Sequence, residues 1–124
     1  MIRGLTKSYP ASAAIAAFRI AAMSDAANSR TVATASGPLQ PLAGTTGNLA
    51  TPAGDMADIA LGGVPLVQLG GPVNARDPLT SDANGKAVKA TAAGQRIIGF
   101  ADQPGVADDI IDYISAPGVL AVGA

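Results

Sequence analysis

Turn formers punctuate this chain so often that no long regular element fits between them. Gly62-Gly63, Gly70-Gly71-Pro72, Asp77-Pro78 and Asn84-Gly85 each close a short apolar run. Glycine reaches positive φ without steric cost and proline removes a backbone donor, so a strand stops or reverses at such pairs. The runs between them, at 56–61, 64–69, 87–90, 97–101 and 110–114, have strand lengths rather than helix lengths. Turn signals about every 8–12 residues predict an all-β fold, a small single-domain barrel or sandwich. Pro65 and Pro72 confine their strands to sheet edges or strand ends. Asn84-Gly85 predicts a two-residue hairpin turn in which both residues take positive φ.

The N-terminal half is less regular. Residues 13–27 are rich in Ala, the strongest helix former, with Ile15, Phe18 and Ala22 on one helical face. The same stretch reads equally as a strand over 15–23, a turn over 24–28 and a strand over 30–35. Asp25, Asn28 and Ser29 supply the turn, and Thr31-Val32-Ala33-Thr34 alternates. Local sequence leaves both open. Residues 36–51 read as loop with a short strand at 39–43. Arg19 interrupts the apolar stretch near the start, which argues against a secretory leader. No run of about 20 apolar residues exists, so no membrane span is expected.

Composition removes whole classes of chemistry. The chain contains no His, Cys, Trp or Glu. Imidazole bases, thiol nucleophiles and the N and S donors of zinc or copper sites are therefore missing. Net charge is −1 and the eight basic residues are scattered from Arg3 to Arg96, which gives no basic face for nucleic acid. Much of the apolar content is Ala, and a buried methyl contributes only about 0.8 kcal/mol. So thin a core favours burying more surface against copies of the chain or a partner. A weak internal echo also exists: Ala53-Gly54-Asp55-Met56-Ala57-Asp58-Ile59 aligns with Ala107-Asp108-Asp109-Ile110-Ile111-Asp112-Tyr113, 54 residues later. It suggests two similar β units.

Four motifs run from Gly54 to Pro117. They are Gly-Asp-Met-x-Asp-Ile-x-Leu-x-Gly, Val-Asn-Ala-x-Asp-Pro-Leu-Thr-Ser-Asp-Ala-Asn-Gly-Lys-Ala-Val, Ile-Ile-Gly-Phe-Ala and Asp-Asp-Ile-Ile-Asp-Tyr-Ile. In order and wording this half of the chain resembles phage capsid decoration (head cement) proteins, most specifically over residues 77–88. Arg76 and Asp108 stand where that family usually has Gly. The resemblance implies a β protein on the outer capsid surface of a virion, bridging major capsid protein subunits and often trimeric. It also implies strands over 15–35 and an extended N-terminal arm that binds a neighbour.

The candidate sites divide accordingly. Asp82 and Asn84 begin a calcium-loop pattern that lacks its remaining ligands, so they read as turn residues. Asp108, Asp109 and Asp112 are the densest carboxylates. Two of them could act as an acid/base pair or hold a metal, with Asp109 and Asp112 the pair in an enzymatic rival; otherwise Asp109 and Asp112 read as solvent-facing residues that blunt a strand edge. Ser81 and Ser115 lack a base, and the Gly-Gly pairs lack the Lys of a phosphate loop. No catalytic, metal or cofactor site is expected. The expected organisation is an arm at 1–12, a β domain at 13–116 and a tail at 117–124. Arg3, Leu5, Lys7 and Tyr9 of the arm are the candidate contacts to the capsid or another subunit. A tail-associated or adhesive module that binds a receptor or glycan is the alternative, with only four aromatic residues to serve it.

Overall fold

The computed structural model describes residues 2–121, and every regular element among them is a strand. The first half contains β1 (Ile2–Arg3), β2 (Thr6–Pro10), β3 (Ile20–Met23), β4 (Val32–Thr34), β5 (Leu42–Thr46) and β6 (Met56–Ala60). The second contains β7 (Gly63–Val64), β8 (Leu66–Gln68), β9 (Pro78–Ser81), β10 (Ala87–Lys89), β11 (Arg96–Ala101) and β12 (Ile110–Val119). Two five-stranded antiparallel sheets result, ordered β2-β6-β5-β3-β4 and β10-β9-β11-β12-β8, in a sandwich-like arrangement. Neither closes into a barrel. Each does curl until its outer strands touch through one parallel bridge, Ala11 to Val32 in one sheet and Leu69 to Ala87 in the other.

The hairpin reading of residues 15–35 holds with shorter strands, β3 at Ile20–Met23 rather than 15–23 and β4 at Val32–Thr34 rather than 30–35, and the helical one loses to tertiary packing. Strand β3 is buried on both faces: Ile20 and Ala22 join the core of the second sheet, while Ala21 joins the core of the first. Successive strand residues point to opposite faces, so a strand pressed between two cores needs small side chains on each. Alanine serves that position despite its helix propensity.

The two sheets repeat one another strand for strand. Strands β2 to β6 occupy the positions of β8 to β12, and β1 pairs with β7 between the two. Register repeats as well. Tyr9 faces Ala57 as Val67 faces Ile111, Met23 faces Val32 as Ser81 faces Ala87, and Ala21 faces Gly44 as Leu79 faces Gly99. A Cβ at Gly44 would overlap the Ala60 carbonyl oxygen, and one at Gly99 the matching oxygen of Ile114. The short echo of the sequence is the β6/β12 part of this duplication.

Four strands are entered through one kind of tight turn. A residue of positive φ lies two places before the strand: Phe18 (φ 56°) before β3, Gly54 (88°) before β6, Arg76 (70°) before β9 and Asp108 (71°) before β12. In three of them an aspartate N–H closes the turn, Asp55 to the Pro52 carbonyl, Asp77 to Asn74 and Asp109 to Val106. The carboxylates of Asp77 and Asp109 also accept from the N–H of Asn74 (2.8 Å) and Val106 (3.0 Å). In the fourth, the Thr46 hydroxyl accepts from the Arg19 N–H at 3.0 Å and donates to the Ala16 carbonyl at 2.8 Å.

The core has two centres. Ala11, Ile15, Ala21, Val32, Ala57 and Ile59 form the first. Their structural equivalents Leu69, Val73, Leu79, Ala87, Ile111 and Tyr113 belong to the second, which also takes Ile20, Ala22 and Ala35 from the first half. That sharing makes the halves one unit.

Three boundaries differ from the sequence reading. Residues 6–10 are not a free arm: β2 pairs with β6 over five positions, and Ala11 is buried. The tail expected from residue 117 continues β12 to Val119; Met1 and residues 122–124 lie outside the described residues. The loop at 36–51 holds β5, which lies at Leu42–Thr46 rather than 39–43.

Candidate interaction surface

The sequence placed contacts on Arg3, Leu5, Lys7 and Tyr9. The structure puts Leu5, Lys7 and Tyr9 on or beside the edge strand β2 and the Arg3 backbone in β1; the Arg3 side chain lies outside the described residues. Leu5 is 68% exposed, and its carbonyl accepts from the Leu61 N–H at 2.8 Å. Lys7 is exposed, with its ammonium 5.5 Å from the centre of the Tyr9 ring. That distance suits a weak cation–π contact. Tyr9 itself is half-buried against the first core, so it is a packing residue more than a free anchor.

The predicted turn at Asn84 and Gly85 is one residue longer than expected. Asp82 and Lys86 flank a loop of Ala83, Asn84 and Gly85, and only Gly85 takes positive φ (74°). The Asp82 carboxylate accepts from the N–H groups of Asn84 (2.8 Å) and Lys86 (3.0 Å). It therefore folds the loop from inside, which selects a G1-bulge hairpin over a two-residue turn. The turn residues also press on the other half: the Gly85 carbonyl accepts from the Ile20 N–H at 2.7 Å.

The three clustered carboxylates have separate tasks. Asp109 caps its turn. Asp108 accepts from the Lys86 ammonium at 2.7 Å, and that hydrogen bond with its charge holds the carboxyl below its usual pKa. Asp112 sits in β12 opposite Leu66. Among the described residues no three metal-ligating side chains converge. Among the described residues the one strongly shifted group is Tyr113, which the sequence reading treated only as part of a strand. Burial pushes its phenol up to about 12, against a smaller opposite effect of its 2.8 Å hydrogen bond with the Thr45 hydroxyl.

Two shallow grooves share Gly47, Asn48 and Asp58, and the larger also takes Pro65 and Leu66 from the second half. The larger, about 370 Å³, runs beside the β1–β7 pair and is lined by Phe18, Ile2, Leu66, Thr6, Asn48 and Asp58 among others. The smaller, about 230 Å³, is bordered by the exposed Leu49 and Met56. Sequence patterns gave no signal for either groove, because their walls come from strands and loops distant in the chain.

No protein-family profile and no curated protein matches the sequence. Among solved structures, the chain is similar to the N base of the head fiber gp8.5 in bacteriophage phi29. The likeness has a TM-score of 0.69, covers 94% of this chain and 95% of that one, and stands at 18% identity. It is a likeness of fold that spans both repeated halves.

Proposed function

We propose that this chain is a structural, non-enzymatic protein of a phage virion, seated on the outer surface of the head and bridging major capsid protein subunits. The observation that carries the reading is the end-to-end fold likeness to the base of a phage head fiber. The motifs at 54–63, 73–88, 97–101 and 108–114, which resemble decoration proteins, support it independently. So does the employment of carboxylates in the fold: Asp77, Asp82 and Asp109 cap turns, and Asp108 pairs with Lys86.

In this reading the edge strand β2 and its approach, with Leu5 and Lys7 exposed, meet a capsid subunit or another copy of the chain, and a trimer is the favoured assembly. Ligand that binds only the assembled shell stabilises it by RT ln(1 + [L]/Kd), about 2.7 kcal/mol at 100 Kd. The test is to mix the purified protein with phage heads that lack it, sediment them and heat them. Co-sedimentation at a fixed ratio to the major capsid protein and a raised shell melting temperature are expected. Protein left in the supernatant at micromolar concentration would reject the proposal.

A further inference from the structure

The larger groove borders β2 and carries chemistry beyond the Leu5 and Lys7 contacts proposed for attachment. Phe18 lines it, and Phe18 is an aromatic residue with φ 56°, a conformation that bulky side chains avoid. The strain is held in place from both sides. The Phe18 N–H donates to the Gly47 carbonyl at 3.0 Å, and its carbonyl accepts from the Gln68 N–H at 2.9 Å. Of the four equivalent turns, three carry Gly, Arg or Asp at this position, all outside this groove; only the turn that borders it carries a ring. Strained positions that the surrounding structure over-determines concentrate at ligand sites.

Polar groups without partners among the described residues line the same groove as the ring. The side chains of Asn48 and Thr6 make no hydrogen bond among the described residues. Asp58 accepts from Ser8 Oγ through Oδ1, leaving Oδ2 uncommitted. By contrast, Thr45 and Thr46 on the same wall spend their hydroxyls on Tyr113 and on the turn before β3. The groove thus brings together an aromatic side chain, apolar walls from Ile2 and Leu66, a planar amide, a carboxylate oxygen and a free hydroxyl, in about 370 Å³. Pockets of that size hold small organic ligands.

This combination matches a pyranose. Its axial C–H face packs on a ring, while adjacent hydroxyls both donate and accept, as a carboxylate beside an amide requires. An anionic ligand would meet Asp58, and a purely apolar one would strand Asn48 and Asp58 without partners. We propose that the groove bounded by Phe18, Asn48 and Asp58 binds a neutral hexopyranose unit of a glycan. The groove adjoins the edge proposed to meet the capsid, since Thr6 belongs to β2, and sugar binding by the free protein is read without heads present.

Saturation-transfer NMR on the intact protein tests it, with glucose, galactose, mannose and N-acetylglucosamine as probes at about ten times an expected millimolar Kd, the range for a ligand of this size. At least one sugar should receive saturation through its ring C–H protons. Asn48→Ala should weaken that binding tenfold or more while leaving the melting temperature unchanged, since Asn48 is exposed. Phe18→Gly relieves the backbone strain, so it should retain the fold and abolish the transfer. The proposal is overturned if none of the four sugars receives saturation, or if binding survives Asn48→Ala and Phe18→Gly undiminished in folded protein.

Discussion

Besides Phe18, two of the described residues hold conformations that a different side chain would hold at lower cost. Arg76 and Asp108 occupy left-handed turn positions equivalent to the one Gly54 takes before β6. A non-glycine residue there costs about 1–2 kcal/mol. Arg76 gains little in return, because its ion pair with Asp102 is 3.8 Å long and solvent-exposed. Arg76→Gly should therefore stabilise the fold by about 0.5–1 kcal/mol, raising the melting temperature by about 3–5 °C. Asp108→Gly should gain less, since it loses the Lys86 contact; differential scanning calorimetry of both variants would separate them. Tyr113 sets a limit at alkaline pH. Its phenol titrates near about 12 when folded, against the ordinary 10.0. The unfolded chain releases this proton first, so the stabilisation is complete below pH 10 and is lost as pH rises from 10 toward 12. The fall should reach about 2–3 kcal/mol. Urea midpoints measured across that range should decline in the wild type, and Tyr113→Phe should remove most of the decline.

Among elements, the N-terminal strand and the 82–86 hairpin decide how much of the chain is expendable. Deleting residues 1–12 removes β2, its ladder with β6, the buried Ala11 and the Tyr9 packing. The truncated protein should melt at markedly lower temperature or fail to fold, where a free arm would have been dispensable; circular dichroism on heating distinguishes the two. Gly85→Val should cost about 2 kcal/mol or more, read as a lowered urea midpoint. Its Cβ would lie 2.6 Å from Thr34 Cγ2 and 3.0 Å from the Ile20 carbonyl oxygen, at φ 74°. The sequence made the strands after residue 53 legible because Gly and Pro end each of them within a few residues. It hid β5, whose Gly44, Thr45 and Thr46 read as loop yet are buried. Backbone approach to Ala60 and the Tyr113 hydroxyl account for that burial, and neither partner is local. It hid β2 for the same reason: the ladder with β6 joins segments about fifty residues apart, and β2 is exposed enough to lack an apolar pattern.

At the scale of the molecule, two cores raise the question of whether the halves unfold separately. Ile20, Ala22 and Ala35 of the first half lie in the core of the second, and the Gly85 carbonyl of the second half takes the Ile20 N–H. A single cooperative transition should follow, with calorimetric and van't Hoff enthalpies equal. Ile59→Ala and Ile111→Ala, one in each core, should each cost about 2–5 kcal/mol and shift that one transition rather than split it. The duplication also explains why the sequence yielded only a fragment of the repeat. The strand order and register match, while the side chains have diverged to Ala in one half where the other has Leu.

A chain that contains one strand order twice faces an ambiguity during folding, since each strand has a second berth of nearly the right geometry. The Thr45–Tyr113 hydrogen bond bears on that choice. Ile59 holds the place of Tyr113 in the first sheet, and Phe100 holds the place of Thr45 in the second. A strand exchanged between sheets would bury the phenol without a partner, a loss of about 1–3 kcal/mol. One pair of hydroxyls thus tells the two halves of the molecule apart.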